Sequence, residues 1–330
     1  MSDKPDHALI AQVGEKSLAE AADLLSRGKL VGVPTETVYG LAADATNGEA
    51  VAGIFEAKGR PSFNPLICHV TDYEMANRLG EFNDIAKRLA EAFWPGPLTL
   101  VLNKRADCPV HELATAGLAT LAVRMPTGPM GELSARLKKP IAAPSANLSG
   151  QISATSALAV LEDLGEKVSL ILDHGAPSVG VESTIVGFRG DDTVLLRPGG
   201  LSPEDIEKVT DRPLLNNIDD KVINAPGMLT SHYAPDMPVR LNVDRVLPGE
   251  ALLAFGDVAL NGAETAVKSI NLSPTGNLIE AAQKLFAAMR NLNASGANGL
   301  AVVPIPNVGL GIAINDRLSR AAAPKDAGHG

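Results

Sequence analysis

Residues 47–70, NGEAVAGIFEAKGRPSFNPLICHV, hold a helix, its stop, a stiff loop and a strand. Asn47 stands where an N-cap belongs, and Val51, Ile54 and Phe55 recur at helical spacing, so a helix runs to about Gly59. Beyond it, Pro61 and Pro65 restrict their own φ and press their predecessors toward extended geometry, which displays Lys58, Arg60 and Asn64 on a stiff loop. PLICHV then reads as a strand. Two cations at a helix end ordinarily complement the helix dipole and hold water, and both are expected to be partly exposed. A stiff cationic loop also suits an anion.

The same alternation continues on both sides. SLAEAADLLSRG reads as a helix with a capping box of Ser17 and Glu20 and with Gly28 at its end. LVGVP, LTLVL, TLAVRMP, PIAAP, VSLILD, STIVGF and TVLLRP read as strands, several without a helix between them. The fold class is therefore α/β, with a mixed sheet rather than a regular doubly wound one. A helix start at Ser202-Pro203-Glu204 closes a first domain, residues 1–209. Four prolines and little periodicity between Asp211 and Pro238 mark a linker over 210–238. Residues 239–330 then read β-α-β-α, from ALLAF through GNLIEAAQKLFAAMRNL and LAVVPIP to NDRLSRAA. That order predicts a small parallel, Rossmann-like α/β domain.

The chain has 330 residues, 45% of them apolar and 20% charged, a globular composition long enough for two cores. No apolar run reaches membrane-spanning length, and MSDKPDHALI lacks a basic and apolar leader, so a cytoplasmic protein without membrane association is expected. Cys68 and Cys108 are the two cysteines, with no CxxC spacing, which argues against a disulfide framework or a zinc site. Residues 1–209 carry 19 Lys and Arg against 27 Asp and Glu. That excess of acid opposes stable binding of nucleic acid, although a local basic cleft can still hold phosphates.

The sequence contains no P-loop, no HExxH and no GxSxG, and NVGLGIAIN does not complete a dinucleotide fingerprint. What remains is a set of polar residues at strand ends and turns: PTETVYG (34–40), KGRPSFNP (58–65), His69, WPGP (94–97), TLAVRMP (120–126), APSANLSG (143–150), GVESTIV (180–186) and LRPGG (196–200). Singly, each has an ordinary structural reading. Thr35 and Thr37 suit a turn, Ser145 and Asn147 a turn pair, Ser183 and Thr184 a strand, His69 a core and Trp94 a rigid corner. Arg124 and Arg197, each at the end of an apolar strand, need partners if buried.

Together these blocks resemble the YrdC-type threonylcarbamoyl-AMP synthases, in order and in approximate spacing, from the first helix to NDRLSRAA. APGMLTSHYAP (225–235) and the C-terminal domain are similar to the longer, two-domain form. The resemblance implies a YrdC-like twisted mixed sheet. It also implies synthesis of L-threonylcarbamoyl-AMP from L-threonine, bicarbonate or CO2, and ATP with Mg2+, releasing pyrophosphate and serving a downstream tRNA threonylcarbamoyl transferase. By motif position it assigns ATP contacts to Lys58, Arg60, Asn64, Thr120, Ser145, Ser153 and Arg197, with Lys58 and Arg60 also neutralising charge during reaction. Threonine contacts fall on Thr35, Thr37, His69, Arg124, Ala143 and Ser183, with Arg124 facing the carboxylate and Ala143 offering backbone polar groups.

His232 and Tyr233 are expected to close on the ATP side as part of a linker that packs on the surface as a lid. Two departures stand out: Ala154 replaces the usual proline, and no basic residue precedes the histidine in APGMLTSHYAP. Two other readings use the same blocks. One is a structured-RNA-binding module without catalysis, and the other is a carbamoyltransferase of the hydrogenase-maturation type, whose zinc-binding cysteine pairs are absent here.

Overall fold

The computed structural model describes residues 9–216, 232–257 and 259–324. The helix Gly48–Lys58 is capped by Asn47, whose side chain accepts from Glu49 N and Ala50 N, and it stops at Gly59 in the left-handed region, φ 58°. A helix that ends at the edge of the sheet delivers the 60–66 loop directly into the strand Ile67–His69. The first helix, Glu15–Ser26, begins earlier than its capping pattern suggested. Gly14 is its cap, and Ser17 sits inside the first turn, where its Oγ accepts from Gly14 N at 3.0 Å and donates to the Gln12 carbonyl at 2.7 Å. A serine there satisfies an orphan amide as well as a capping serine would.

Among the described residues, the N-terminal unit forms one twelve-stranded mixed sheet. Its middle runs Val31–Val33, Gly40–Asp44, Ile141–Ala142, Ile67–His69, Thr120–Arg124, Leu98–Lys104 and Thr184–Arg189, with parallel and antiparallel neighbours mingled. Gly40–Asp44 carried no strand signal because all five residues are buried, which removes the two-residue alternation. In register, Ile67 faces Ala122 and Ala122 faces Val101, so a row of apolar side chains crosses three strands. Thr120, Ala122 and Arg124 alternate onto one face. At roughly 3.3 Å per residue, Thr120 and Arg124 stand about 13 Å apart along it.

The C-terminal unit is a four-stranded parallel sheet in the order Val239–Arg240, Gly299–Val302, Glu250–Ala254, Ser269–Asn271, packed by the helices Leu278–Asn293 and Leu310–Ala322. Two of these strands are too short to show a period. The units share a core. Val38, Ile152 and Val181 from the first pack with Tyr233 and with Ala282 and Phe286 of the second. Gly180, at φ +83°, comes so near the helix Leu278–Asn293 that a Cβ there would lie 2.3 Å from Gln283 Cα.

Candidate functional site

A cavity of about 50 Å³ lies where the loop after Gly59, the strand ends and the segment at 232–233 converge, and Arg60, Arg124, Ser145, Ser183, Arg197, His232 and Tyr233 all reach it. Thr37 lines it as well.

The two loop cations are buried, contrary to the expectation of partial exposure. Lys58 Nζ donates to the carbonyls of Ser145, at 2.6 Å, and Asn147. Arg60 donates from Nε to the Asn64 carbonyl at 3.2 Å and from Nη2 to the Pro65 carbonyl at 2.9 Å. The prolines fold the loop back over its own cation, so the stiff turn conceals Arg60 instead of displaying it. Asn64 is fully buried, and neither its Nδ2 nor its Oδ1 has a hydrogen-bond partner among the described residues. Such an amide needs a partner.

Arg124 is held from three sides. Its Nε donates to the Gly96 carbonyl at 3.2 Å, Nη1 donates to Thr37 Oγ1 at 2.9 Å, and Nη2 lies 2.6 Å from Glu36 Oε1. Glu36, in PTETVYG, was not singled out from sequence, yet it is the carboxylate this buried arginine meets. Thr35 is a turn former: its Oγ1 donates to the Val38 carbonyl at 2.7 Å and lies 2.8 Å from Thr37 Oγ1. His69 is buried beside this group with Nδ1 unpartnered among the described residues. Burial, followed by the Arg124 charge, pushes its pKa down to about 3, so it is a neutral imidazole. The Ala143 amide donates to the Ile67 carbonyl at 3.0 Å, so of the backbone polar groups expected to face threonine its N–H is already engaged.

On the opposite wall Arg197 donates to the Ser183 carbonyl from Nε, at 3.2 Å, and from Nη2, at 2.8 Å. Ser183 Oγ lies 2.7 Å from Thr99 Oγ1. Ser153, wholly buried, donates to Glu182 Oε1 at 2.6 Å, and Glu182 Oε2 accepts from Arg317 Nε at 2.8 Å. Sequence reading missed Glu182 and Arg317. Charged residues inside the apolar frames GVESTIV and NDRLSRAA were the available signal, since buried charges need partners. Thr120 stands apart, on a separate groove of about 500 Å³ that Val101 and Asn103 also line.

His232 and Tyr233 are core residues, which corrects the expectation of a segment merely lying on the surface. Tyr233 is 1% exposed, its ring stacks on Phe286 at 5.4 Å, and the Arg317 guanidinium lies 5.3 Å from the ring centroid. The His232 ring lies 4.1 Å from that of Tyr233. Residues 225–231 of the motif lie outside the described residues.

The electrostatics favour an anion. Burial lowers the pKa of Lys58, Arg60 and Arg197, the two arginines to about 10, and the cations also act on one another: Arg60 lowers Lys58 and Arg197 lowers Arg60. Like charges gathered in a low dielectric are relieved by a polyanion.

Residues 23–199 match the Sua5, YciO and YrdC family, described as telomere recombination, and residues 201–323 match the threonylcarbamoyl-AMP synthase C-terminal domain. A curated relative from Pyrococcus abyssi, named threonylcarbamoyl-AMP synthase, is 40% identical over 94% of this chain and 95% of its own. This chain belongs to the threonylcarbamoyl-AMP synthase family. A Bacillus subtilis relative of the same name is 38% identical over 93% of each chain. The solved structure of Pyrococcus abyssi Sua5 complexed with L-threonine superposes with a TM-score of 0.86 at 36% identity, covering 96% of both chains. Escherichia coli YciO, 20% identical with a TM-score of 0.51 over 58% of this chain and 94% of its own, shares the fold of the N-terminal unit.

Proposed function

We infer that this chain makes L-threonylcarbamoyl-AMP from L-threonine, bicarbonate or CO2, and ATP, with release of pyrophosphate. The observation that carries the reading is the group of buried arginines, Arg60, Arg124 and Arg197, around one cavity of a chain whose full-length relatives bear the synthase name. In the reaction the threonine amine and CO2 give a carbamate. A carbamate oxygen bonds to the α-phosphorus of ATP, and the bond from that phosphorus to the pyrophosphate oxygen breaks. No enzyme nucleophile is needed, so catalysis rests on bringing two anions together and offsetting charge on the leaving group.

On this reading Lys58, Arg60, Asn64, Ser145, Ser153 and Arg197 face the triphosphate. Thr120, some 13 Å along the sheet face from Arg124, takes the nucleoside end in its own groove. Thr37, His69, Arg124 and Ser183 receive threonine, whose carboxylate must share Arg124 with Glu36 or displace it. Thr35 shapes the turn that presents Thr37. Among the described residues no group of three His, Cys, Asp or Glu is placed to hold a metal ion, and Glu182 is engaged by Ser153 and Arg317. Mg2+ would come with ATP on its phosphate oxygens and water, where it would offset charge on the leaving pyrophosphate.

On this reading His232 and Tyr233, which line the cavity, part for ATP to enter and close again, excluding water from the labile adenylate. The product serves a tRNA threonylcarbamoyl transferase. The full-length relatives named above carry the synthase name, which favours this reading over the RNA-binding and carbamoyl-transfer ones. The test is incubation with ATP, Mg2+, bicarbonate and threonine. Pyrophosphate release and a threonylcarbamoyl adenylate by mass spectrometry, both lost when threonine is omitted, are expected; release indifferent to threonine would sink the reading.

A further inference from the structure

Ser153 is held by Glu182 of its own unit, and two arginines of the other unit brace that pair. Glu182 is 7% exposed and lies next to Ser183 in the cavity wall. Its Oε1 receives the Ser153 hydroxyl at 2.6 Å, and its Oε2 receives Arg317 Nε at 2.8 Å. Arg317 belongs to the C-terminal helix Leu310–Ala322 and is 0% exposed. It also donates from Nη1 to the Pro198 carbonyl at 2.8 Å, on the loop that follows Arg197, and to Asp316 at 2.7 Å. A second arginine of the same unit grips the same segment by its backbone. Arg290 donates to the Ile152 carbonyl at 2.5 Å and to the Ser153 carbonyl at 3.4 Å, while pairing with Asp163. A third tie is the Ala234 amide on the Gly150 carbonyl, at 2.9 Å.

We propose that Arg317 is a positioning residue of the nucleotide site: by neutralising and orienting Glu182 it fixes the Ser153 hydroxyl, so the C-terminal unit completes the ATP-binding wall of the N-terminal one. The proposal rests on the synthase reading for the identity of the ligand. A buried carboxylate without a cation would take up a proton or draw in water, and either change releases the serine. The titratable groups that face Glu182 are Arg317 from the C-terminal helix, Arg197 from the strand Asp192–Arg197, and His232 and Tyr233, both neutral, from the linker side. Burial alone would raise the Glu182 carboxyl, but Arg317, then Arg197 and the Ser153 hydrogen bond, hold it down at about 2.

The experiment uses the full-length chain with Arg317→Met, Arg317→Lys and the double variant Glu182→Gln with Arg317→Met. Threonine-dependent pyrophosphate release is measured against pH and against each substrate, and melting temperature is recorded alongside. Arg317→Met is expected to raise the KM for ATP by about tenfold, roughly the loss of one charged hydrogen bond, while moving the KM for threonine less than twofold. Its acid limb should move to higher pH, as Glu182 loses the cation that holds its carboxyl down. The double variant removes that titration and recovers part of the ATP affinity, because an amide can still accept from Ser153.

Equal rises in both KM values, an unmoved acid limb, or no recovery in the double variant would overturn the positioning role. Arg317→Lys, which keeps a cation on Glu182, should hold the KM for ATP near the wild-type value; if Arg317→Met fails to fold, Arg317→Gln decides, and a wild-type KM for ATP at lowered melting temperature then means that Arg317 is merely structural. A wild-type protein that shows no threonine-dependent release removes the synthase reading and the proposal with it. An active wild type with an unaffected Arg317→Met removes the proposal alone.

Discussion

Gly180→Ala should pull the two units apart. The residue has φ +83°, where an L side chain costs roughly 1–2 kcal/mol. A Cβ there would also stand 2.3 Å from Gln283 Cα and 2.4 Å from the Ala282 carbonyl. Both obstacles are helix backbone, which cannot turn aside as a side chain can. The helix would have to retreat by about 1 Å, and forced overpacking of this kind costs about 1–3 kcal/mol. Together the terms reach roughly 2–5 kcal/mol, a large part of a typical domain's stability. With a urea m-value near 3 kcal/mol/M, the unfolding midpoint should fall by roughly 1 M.

The single tryptophan, Trp94, is buried in the N-terminal core, so its fluorescence reports that unit, while far-ultraviolet circular dichroism reports both. The variant should lose dichroism at lower urea than fluorescence, and its KM for ATP should rise as Arg290 and Arg317 withdraw with the C-terminal unit. A variant with the wild-type midpoint in both signals and the wild-type KM for ATP would refute the docking argument.

Lys58→Ala and Arg60→Ala should lower melting temperature as well as activity, because each strands two carbonyl acceptors at a cost of about 1–3 kcal/mol; calorimetry showing no change in stability would contradict their buried bonding. Glu36→Gln should lower the KM for threonine several-fold, by taking away the carboxylate that already occupies Arg124, and an unchanged or higher value would mean that the substrate carboxylate docks elsewhere. His69 and His232 are both held neutral, with pKa values near 3, chiefly by burial. The unfolded chain protonates each near 6.5, so the stability they contribute is complete above that pH and drains away as pH falls toward 3, by about 1.4 kcal/mol per pH unit for each histidine. Urea midpoints between pH 6.5 and 5 should therefore decline more steeply for the wild type than for a variant with Gln at both positions; parallel slopes would rule this out.

Sequence alone determined whatever is local. Asn47 and Gly59 bound their helix because a cap and a left-handed stop act within one turn, and TLAVR, STIVGF and TVLLR declare themselves as strands because β-branched and apolar residues crowd a short run. The spaced blocks also marked nearly every polar residue now found around the cavity. What they could not show is which charge meets which. Glu182 and Arg317 lie 135 positions apart, and Arg124 reaches Glu36 across well over a third of the sheet domain's sequence. No periodicity links such residues, because a buried charge takes its partner from whichever element the packing brings beside it. Lys58 and Arg60 looked exposed for the same reason: a helix terminus and two prolines specify the loop's stiffness, whereas its solvent exposure depends on the 145–147 turn and the 232–233 segment folding over it. Tertiary structure decided that the linker's His232 and Tyr233 are core, since only the joined apolar surfaces of both units, Val38, Ile152 and Val181 against Phe286 and Ala282, make burial there favourable.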